Sequence, residues 1–489
     1  MEGRPQNGPD HTPMKVLLVN PNAIKPVVGP IAFDYLGQAL EGRGFSVDVL
    51  DLAFAEGHEA ALDAYFERGS PDAVGITVRN VDDCYFASQE FFIPRIKRVV
   101  DYLKTKTRAP LVLGGVGFSI MPERILEFCG VDFGIKGEGE YALPELLTRI
   151  REKRGPADVP GLVFRAGGEF RRNEERYGDL NRLPVPGRKT IDNPRYHREG
   201  GQGNIETKRG CDRKCIYCAD PVSKGRTLRL KHPGRVIDEL EVLLAQGVND
   251  FHFCDSEFNL PPHHALAVCR EIANRKLGEK IRWYTYASPA PFSDELARSM
   301  KNAGCLGIDF GVDSGDAGML KRLGREFAPE DLKKTAEICR RWGIAFMYDL
   351  LLGGPGENRE TLRATIDLMK SVNPSKVGLS LGMRIYPGTG IARIVRAEGD
   401  GKENANLHGC VEGNEDFFAP VFYVSSSIGE DISDCVARLV NRDERFFFAA
   451  RENRKRNYNY NENLVLTEAI KKGARGAYWD ILRKLDDPD

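Results

Sequence analysis

The sequence lacks any apolar run close to the roughly 20 residues that a helix needs to cross a bilayer, and its first residues, MEGRPQNGPDHTP, contain no hydrophobic signal segment. It also lacks an excess of either charge, because 70 basic residues stand against 71 acidic ones. No strong electrostatic field is therefore available to recruit nucleic acid or an anionic membrane. With 41% hydrophobic and 29% charged residues, the 489-residue chain is expected to be a cytoplasmic globular protein with two or three cores.

The cysteines divide into scattered and clustered residues. Disulfides are not expected, since thiols stay reduced in the cytoplasm. Eight of the eleven cysteines are scattered singly and are interpreted as small buried residues. The other three, Cys211, Cys215 and Cys218, stand close together in KRGCDRKCIYCADP (208–221). Clustered thiols in a reducing compartment indicate metal binding or catalysis.

A fourth ligand is missing from this cysteine cluster. A closed zinc site needs four ligands, and the nearest histidines, His197 and His232, fall at no usual zinc-finger spacing. Three thiolates on one short loop suit a [4Fe-4S] cluster, whose fourth iron then stays open for another ligand. Zinc and a purely structural cysteine group are the alternatives.

Strands and helices alternate along the first part of the chain, which has no internal repeat and no low-complexity tract. The predicted strands of residues 14–150 are KVLLV (15–19), SVDVLDL (46–52), AVGITV (73–78), PLVLGG (110–115) and FGIKG (133–137). One predicted helix, 31–42, stops before Gly44. This rhythm predicts an α/β domain with a doubly wound parallel sheet.

Such a sheet binds ligands beyond the carboxyl ends of its strands. The segments at those ends are NPNAIKP, RNVDD, GGVGFS and GEGE. Glycine lets the backbone approach a large flat or phosphorylated ligand without interference from a Cβ, although a tight turn explains any single glycine. The candidate binding residues are Asn20, Arg79, Gly114, Gly115, Gly117, Ser119, Gly137, Glu138 and Gly139.

A second α/β region follows a connector. The connector, 151–200, contains a predicted hairpin, GLVFRAGGEFRRN. From 201 to 395 the alternation resumes, with strand candidates at 204–209, 250–255, 282–288, 306–313, 345–353 and 377–387. One helix is predicted to begin at Pro329 and to end before Gly343. Six such units predict a partial (β/α)6 barrel whose active face lies at the strand C-termini.

The two ends of the chain are expected to differ. Residues 1–13 are expected to be disordered, and residues 396–489 to form a mainly helical cap that covers the substrate. Within the cap, RFFFAARENRKRNYNYNENL (445–464) mixes aromatic and basic residues, a pattern also found in proteins that bind single-stranded nucleic acid. Because the net charge is close to zero, we favour a cap in which Tyr458, Tyr460, Tyr478 and Trp479 belong to the core or line the substrate site.

Two segments resemble known families. The pattern Cys-x-x-x-Cys-x-aromatic-Cys, with Tyr217 as its aromatic residue, resembles the signature of the radical S-adenosylmethionine (SAM) superfamily. LVLGGVGFSIMPERILEF followed by GIKGEGEYALPELL resembles the Rossmann-like cobalamin-binding domain that precedes many radical enzymes. Over residues 14–395 the chain therefore resembles the methyltransferase-like subfamily of cobalamin-dependent radical SAM enzymes.

The resemblance implies three cofactors: a [4Fe-4S] cluster, SAM and cobalamin. In the family the open iron chelates SAM, which is cleaved to a 5′-deoxyadenosyl radical, and methylcobalamin then supplies a methyl group. The implied activity is methylation of an unactivated carbon or phosphinate centre of a small molecule, natural product or lipid, with an electron donor such as flavodoxin or ferredoxin. Rearrangement, ring contraction, cyclisation or radical coupling is the alternative enzyme activity, and zinc-dependent nucleic-acid binding is the alternative from another class.

Further SAM-site residues are implied by position. Asp255 and Glu257 in FCDSEFN stand where the family often has Gly-Gly-Glu, although the glycines are absent. Asp313 and Ser314 in GVDSG stand where it often has Glu-Ser-Gly, and Arg325 offers a planar fork for a carboxylate. A solvated surface pair is the alternative for Asp313 and Arg325. The remaining candidates are Tyr217, Gly353 and Gly354 in LLGGPGEN (351–358), and Arg384 in MRIYPGTG (383–390).

The lower face of a bound corrin is expected to lack a protein histidine. The family's Asp-x-His-x-x-Gly motif is absent, since this region has only His11 and His58 and neither lies in such a motif. Arg79 ends an apolar strand near that face, but a guanidinium stays protonated and cannot readily donate a lone pair to a metal. Arg79 then either fills the axial space or pairs with Asp82 or Asp83.

Overall fold

The computed structural model describes residues 13–399, 401–449, 457, 459–461 and 463–486. Of the segment expected to be disordered, 1–13, only Pro13 is among them. His11 and Tyr458 also lie outside the described residues.

The N-terminal region is built on a seven-stranded sheet in the order β2-β1-β3-β4-β5-β6-β7. Its strands are β1 (Lys15–Asn20), β2 (Ser46–Asp51), β3 (Ala73–Thr77), β4 (Leu111–Gly114), β5 (Phe133–Ile135), β6 (Leu162–Ala166) and β7 (Glu169–Arg172). Its helices are α1 (Ile31–Glu41), α2 (His58–Phe66), α3 (Ile93–Lys106), α4 (Val116–Ile120), α5 (Pro122–Cys129) and α6 (Gly139–Arg151). The first five strands pair in parallel, so the predicted doubly wound sheet is confirmed.

Alternation along the strands explains why helices cover both faces. On β1, Leu17 and Val19 pack on one side with α2, α3 and α5, whereas Val16 and Leu18 pack on the other with α1 and α6. The strand order reverses between β1 and β3, which is the point where doubly wound sheets open a crevice for a ligand.

The predicted hairpin belongs to this sheet and is not a separate part of the connector. Its strands, β6 and β7, pair antiparallel beyond β5. The buried side chains of Leu162 and Val163 join the hydrophobic clusters on the two faces, and the pairing covers an edge that β5 would otherwise expose.

The second region is a curved parallel sheet in the order β19-β15-β14-β13-β12-β11-β8. The strands from here on are β8 (Gly203–Ile205), β9 (Lys208–Arg209), β10 (Arg229–Leu230), β11 (Asp250–Phe253), β12 (Arg282–Ala287), β13 (Cys305–Asp313), β14 (Ala345–Leu352), β15 (Lys376–Leu381), β16 (Met383–Arg384), β17 (Leu407–Gly409), β18 (Val421–Tyr423) and β19 (Phe446–Phe448). The helices are α7 (Asn193–Gly200), α8 (Asp220–Lys224), α9 (Pro233–Ala245), α10 (Pro262–Asn274), α11 (Asp294–Asn302), α12 (Ala317–Leu323), α13 (Pro329–Arg341), α14 (Arg359–Val372), α15 (Gly390–Glu398), α16 (Ile432–Val440), α17 (Leu464–Lys471) and α18 (Tyr478–Asp486).

The C-terminal region completes the barrel in a way that the sequence did not predict. Its strand β19 adds to β15 as a seventh parallel strand, because Phe446 and Phe447 are buried in the barrel's hydrophobic clusters. Strands β16, β17 and β18 form a small antiparallel sheet. The described aromatic residues of the 445–464 segment are therefore mostly packing residues, which counts against the nucleic-acid alternative.

The connector joins the two regions through a buried ion network. The Arg188 side chain, 1% exposed, donates to Asp34 of α1 at 2.8 Å and to Glu239 of α9 at 2.6 Å. Tyr35 of α1 also donates to Glu239, at 2.7 Å. Because these groups are buried, each depends on its partners to offset the loss of water.

We expect the Arg188→Ala variant to lose about 3–5 kcal/mol of stability, since it leaves Asp34 and Glu239 buried without a counter-charge. The matched control is Arg182→Ala on the same connector, because the Arg182 side chain is 84% exposed. Its effect should stay within about 0.5 kcal/mol. Urea unfolding followed by circular dichroism measures both, and equal midpoints would contradict the expected role of the network.

Candidate functional site

The three clustered cysteines lie on a loop that is held in place by its own backbone. The loop follows β9, at the C-terminal end of the barrel. The Ile216 N–H donates to the Leu323 carbonyl at 3.1 Å, and the Ile391 N–H donates to the Ile216 carbonyl at 2.8 Å. A Cβ at Gly324, where φ is +77°, would lie 2.3 Å from the Lys214 carbonyl oxygen. The loop therefore fits only because glycine stands beside it.

Burial makes the three cysteine thiols weaker acids, and their arrangement is compatible with a cubane. Burial raises the pKa of Cys211 to about 11 and also raises the pKa values of Cys215 and Cys218. These thiols therefore need a metal's positive charge to ionise at neutral pH. Within the described ranges, no three His, Cys, Asp or Glu side chains converge as ligands of one ion. A cubane does not require such convergence, because each cysteine binds a different iron.

The guanidinium of Arg325 joins the cysteine loop to two carboxylates. Its Nη1 donates to Cys215 Sγ at 2.9 Å, and its Nε lies 3.3 Å from an oxygen of Asp313. Its Nη2 lies 3.4 Å from Oε1 of Glu257. Tyr217, from within the cysteine motif, donates its hydroxyl hydrogen to Asp313. Asp313 and Arg325 are thus a buried pair beside the cysteines, and the alternative of a solvated surface pair is wrong.

A cleft of about 290 Å³ opens beside this group and is lined by Cys215, Glu257 and Arg325 together with Ser288 and Pro291. The second carboxylate oxygen of Glu257 is buried and has no hydrogen-bond partner among the residues described. Burial raises the pKa of Glu257, although Arg325 lowers it. A carboxylate and a guanidinium next to the cysteines fit the ammonium and carboxylate ends of a methionine moiety.

Among the predicted SAM-site residues outside this cleft, three have polar groups that are already bonded to other parts of the protein. Asp255 accepts from the Thr207 N–H and from Lys208 Nζ, and it is the neighbouring Glu257 that faces the cysteines. Ser314 is buried against Thr365 on α14.

Arg384 is the third of these residues. It forms a buried ion pair at 2.7 Å with Asp82 of the N-terminal region and also donates to the carbonyls of Phe417 and Phe418. The assignment of Arg384 to SAM is therefore corrected: its guanidinium joins the two regions.

The predicted glycine-rich turn after β14 is organised by a buried carboxylate. The N–H groups of Gly353 and Gly354 both donate to the same oxygen of Glu357. Gly353 has φ of +100°, a conformation that favours glycine. Burial raises the pKa of Glu357 to about 7, and the two N–H groups offset only part of this rise. Sequence reasoning overlooked Glu357, although a glutamate directly after a glycine-rich turn was available as a signal.

The candidate cobalamin-binding glycines have different surroundings. A Cβ at Gly115, where φ is +108°, would lie 2.7 Å from the Val78 carbonyl oxygen, and a Cβ at Gly117 would lie 2.9 Å from Asn80. Packing between the β3 and β4 loops thus explains both glycines. A Cβ at Gly114 would make only an ordinary van der Waals contact, with the Ile135 carbonyl oxygen at 3.7 Å, so packing within the protein does not require a glycine there. The Ser119 hydroxyl donates to the Gly115 carbonyl and accepts from the Gly137 N–H, and so holds the loops together.

Asn20, Glu138 and Gly139 are committed to contacts within the protein. Asn20 donates to Asp51 at 2.9 Å and to the Tyr196 hydroxyl at 3.2 Å. Glu138 pairs with Arg209, 3.2 Å away, and with Arg229, both from the cysteine end of the barrel. A Cβ at Gly139 would lie 2.9 Å from the Leu36 side chain.

Arg79 remains available at the sheet edge. Asp82 is paired with Arg384, and Asp83 accepts from Ser88 and Asn459, so the alternative that either pairs with Arg79 is wrong. No side-chain hydrogen bond or ion pair of Arg79 is formed within the described part of the chain. Its charge lowers the pKa values of Tyr286 on β12 and Tyr478 on α18, against the larger effect of burial. Arg79 therefore lies between the N-terminal sheet and the barrel interior.

The C-terminal helices cover the N-terminal end of the barrel. Trp479 is buried with its ring 6.3 Å from that of Tyr284, whose hydroxyl donates to Asp480 at 2.7 Å. The rings of Tyr460 and Tyr478 lie 5.5 Å apart. None of the helices in the described ranges is both long enough and apolar enough to span a membrane.

Comparisons with known proteins agree with this architecture. Residues 19–147 match the model of the B12 binding domain, and residues 205–369 match that of the Radical SAM superfamily. The chain is 32% identical to the tryptophan 2-C-methyltransferase of Streptomyces laurentii, and the alignment covers 95% of each chain.

Two solved structures of TsrM from Kitasatospora setae, a radical SAM methyltransferase, each cover 97% of this chain and 98% of their own. The one with tryptophan and the SAM analogue aza-SAM is 31% identical, with a TM-score of 0.91. The one with cobalamin and a [4Fe-4S] cluster is 30% identical, with a TM-score of 0.87. The chain therefore belongs to the cobalamin-dependent radical SAM methyltransferases, which work with a [4Fe-4S] cluster, SAM and cobalamin.

Proposed function

We propose that this enzyme methylates a carbon atom of tryptophan or of a closely related aromatic amino acid. The similarity to a tryptophan 2-C-methyltransferase over 95% of each chain carries this proposal, because it includes the C-terminal region and not only the cofactor domains. The likeness to a structure that holds tryptophan supports the same substrate class. An electron donor such as flavodoxin or ferredoxin belongs to this proposal.

The cluster and SAM would be held by the group around Arg325. Together the bound cofactors supply the electron and methyl chemistry, and the chain positions them and excludes water. In the proposal Cys211, Cys215 and Cys218 ligate the cluster. Arg325 and the unpartnered oxygen of Glu257 orient the carboxylate and ammonium ends of SAM, since both groups line the cleft beside Cys215.

Cobalamin would lie over the carboxyl edge of the N-terminal sheet, facing the barrel. Packing within the protein does not require a glycine at Gly114, and Arg79 lies at the same edge without an ion-pair partner in the described ranges. We propose that Arg79 would face a corrin bound at this edge and would not ligate its cobalt, because a guanidinium has no lone pair that it readily donates to a metal.

Isotope labelling tests the proposed activity. We expect that protein reconstituted anaerobically with iron, sulfide and cobalamin will transfer the methyl group of ¹³C-methyl SAM to tryptophan. Mass spectrometry of the product should show a gain of one labelled methyl group on the indole. Unlabelled products would instead support the alternative of rearrangement or coupling without methyl transfer.

Substituting a cluster cysteine should abolish both the cluster and the activity. For Cys215→Ala we expect the iron–sulfur absorption band to be lost along with methyl transfer, because two thiolates cannot hold the cubane. The control is Cys410→Ala, since Cys410 is exposed and stands alone in sequence. A Cys215→Ala variant with the wild-type iron content would contradict the ligand assignment.

The buried glutamate of the glycine-rich turn should make the stability of the protein depend on pH. The pKa of Glu357 is about 7 in the folded protein against 4.5 ordinarily, so the folded state binds more protons and stability falls as the pH rises from 4.5 to 7. The size of this fall is roughly 3 kcal/mol at 1.36 kcal/mol per unit. We expect the Glu357→Gln variant to lack this fall in the free energy of unfolding between pH 4.5 and pH 7. Glu360→Gln, an exposed change nearby, should leave the wild-type profile intact, and identical profiles for all three proteins would contradict the assignment.

A further inference from the structure

A layer of polar residues crosses the barrel interior beneath the cysteine cleft. Tyr286 of β12 pairs in register with Asp309 of β13, and Asp349 of β14 pairs with Gly311, two residues along. Ile308, Phe310 and Val312, which alternate with these positions on β13, are buried in the hydrophobic cluster beneath the helices. Side chains alternate along a strand, so Asp309 points into the barrel.

Asp309 is a buried acid without a partner among the described residues. The residue is 5% exposed, and it forms no hydrogen bond or ion pair within the part of the chain that the structure describes. Burial, together with the charge of Asp349, raises the pKa of Asp309 well above its usual range. Next to the charge of Asp349, the Asp309 carboxylate stays ionised in this low-dielectric interior only when a cation joins it.

Space for such a cation is present in the barrel. Tyr286 is 45% exposed although β12 is an inner strand of the sheet, and its neighbours Trp283, Thr285 and Ala287 are buried. Its accessible surface therefore faces a cavity inside the barrel.

Aromatic side chains surround the two carboxylates. The charge of Asp349 raises the pKa values of Tyr85, Tyr286 and Tyr460, in addition to the larger effect of burial, which places all three rings close to the acid pair. Tyr85 comes from the loop after β3, and Tyr460 comes from the C-terminal region. Carboxylates within a group of aromatic rings match the chemistry of a protonated amine, which combines charge-assisted hydrogen bonds with cation–π contacts.

We propose that Asp309 binds a protonated amine of the substrate, with the charge of Asp349 nearby and the tyrosine rings packed around it. The inference rests on the proposed function in one respect: in an aromatic amino acid this amine is the α-ammonium group. Asp313 lies four residues beyond Asp309 on the same strand, so the cysteine cleft is about 13 Å away along β13. That separation leaves room for a molecule of this size between the acid pair and the cofactors.

Three indole ligands distinguish the contribution of the amine to binding from that of the carboxylate. Tryptophan carries both an amine and a carboxylate, tryptamine has only the amine, and indole-3-propionate has only the carboxylate. We expect isothermal titration of the reconstituted wild-type enzyme to show that tryptophan and tryptamine bind at least tenfold more tightly than indole-3-propionate. Indole-3-propionate binding as tightly as tryptamine would overturn the proposal.

Variants then test whether Asp309 causes the preference for ligands with an amine. Asp309→Asn, which keeps the side-chain size, should weaken tryptamine at least tenfold and leave indole-3-propionate unchanged or slightly tighter. Asp367→Asn on the exposed side of α14 is the control and should change neither affinity. An Asp309→Asn variant that weakens all three ligands equally would indicate a structural role only and would overturn the proposal.

The amine site and the proposed function can fail separately. Tight tryptamine binding that depends on Asp309, without methylation of tryptophan, would retain the site and reject the substrate. Methylation of tryptophan by a protein that binds the two single-group analogues equally would retain the function and reject the site. Binding of none of the three indoles would reject both.

Discussion

The contact between Arg325 and Cys215 is the interaction on which the rest of the site depends. One guanidinium contacts a thiol of the cysteine loop, Asp313 of β13 and Glu257 after β11. Its planar fork spans three elements that are far apart in sequence, which a lysine could not do. Because the pair with Asp313 is buried, its removal would leave an unpaired charge, so the position of the cysteine loop is coupled to the geometry of the barrel.

The two regions are joined by charges that are also buried. Arg188 connects α1 to α9, Arg384 connects β16 to Asp82, and Glu138 connects the β5 loop to two arginines near the cysteines. Each of these contacts crosses from the N-terminal sheet to the barrel. They hold the carboxyl edge of that sheet towards the barrel interior. Cofactors bound by the two regions would therefore face the same space.

Local sequence patterns predicted the strands and helices but not all of the contacts that their side chains make. The parallel strands were predictable from their β-branched runs, and the cysteine motif was predictable from its spacing. Both patterns lie within short stretches of the sequence. The choice between Asp255 and Glu257 depends on Thr207 and Lys208, which are distant in sequence and already bind Asp255. Arg384 was misassigned for the same reason, since its partner Asp82 belongs to the other region. Asp309 and Asp349 did have a local signal, because each is an acid inside an apolar strand.

In the proposed site, three cysteines hold a cubane in which one iron lacks a cysteine ligand. Mössbauer spectroscopy of protein reconstituted with ⁵⁷Fe distinguishes such an iron from the other three. We expect four irons per chain, with one site distinct from the other three and shifted when SAM is added. Four equivalent sulfur-ligated irons that do not respond to SAM, or a site filled by zinc, would contradict this arrangement of ligands.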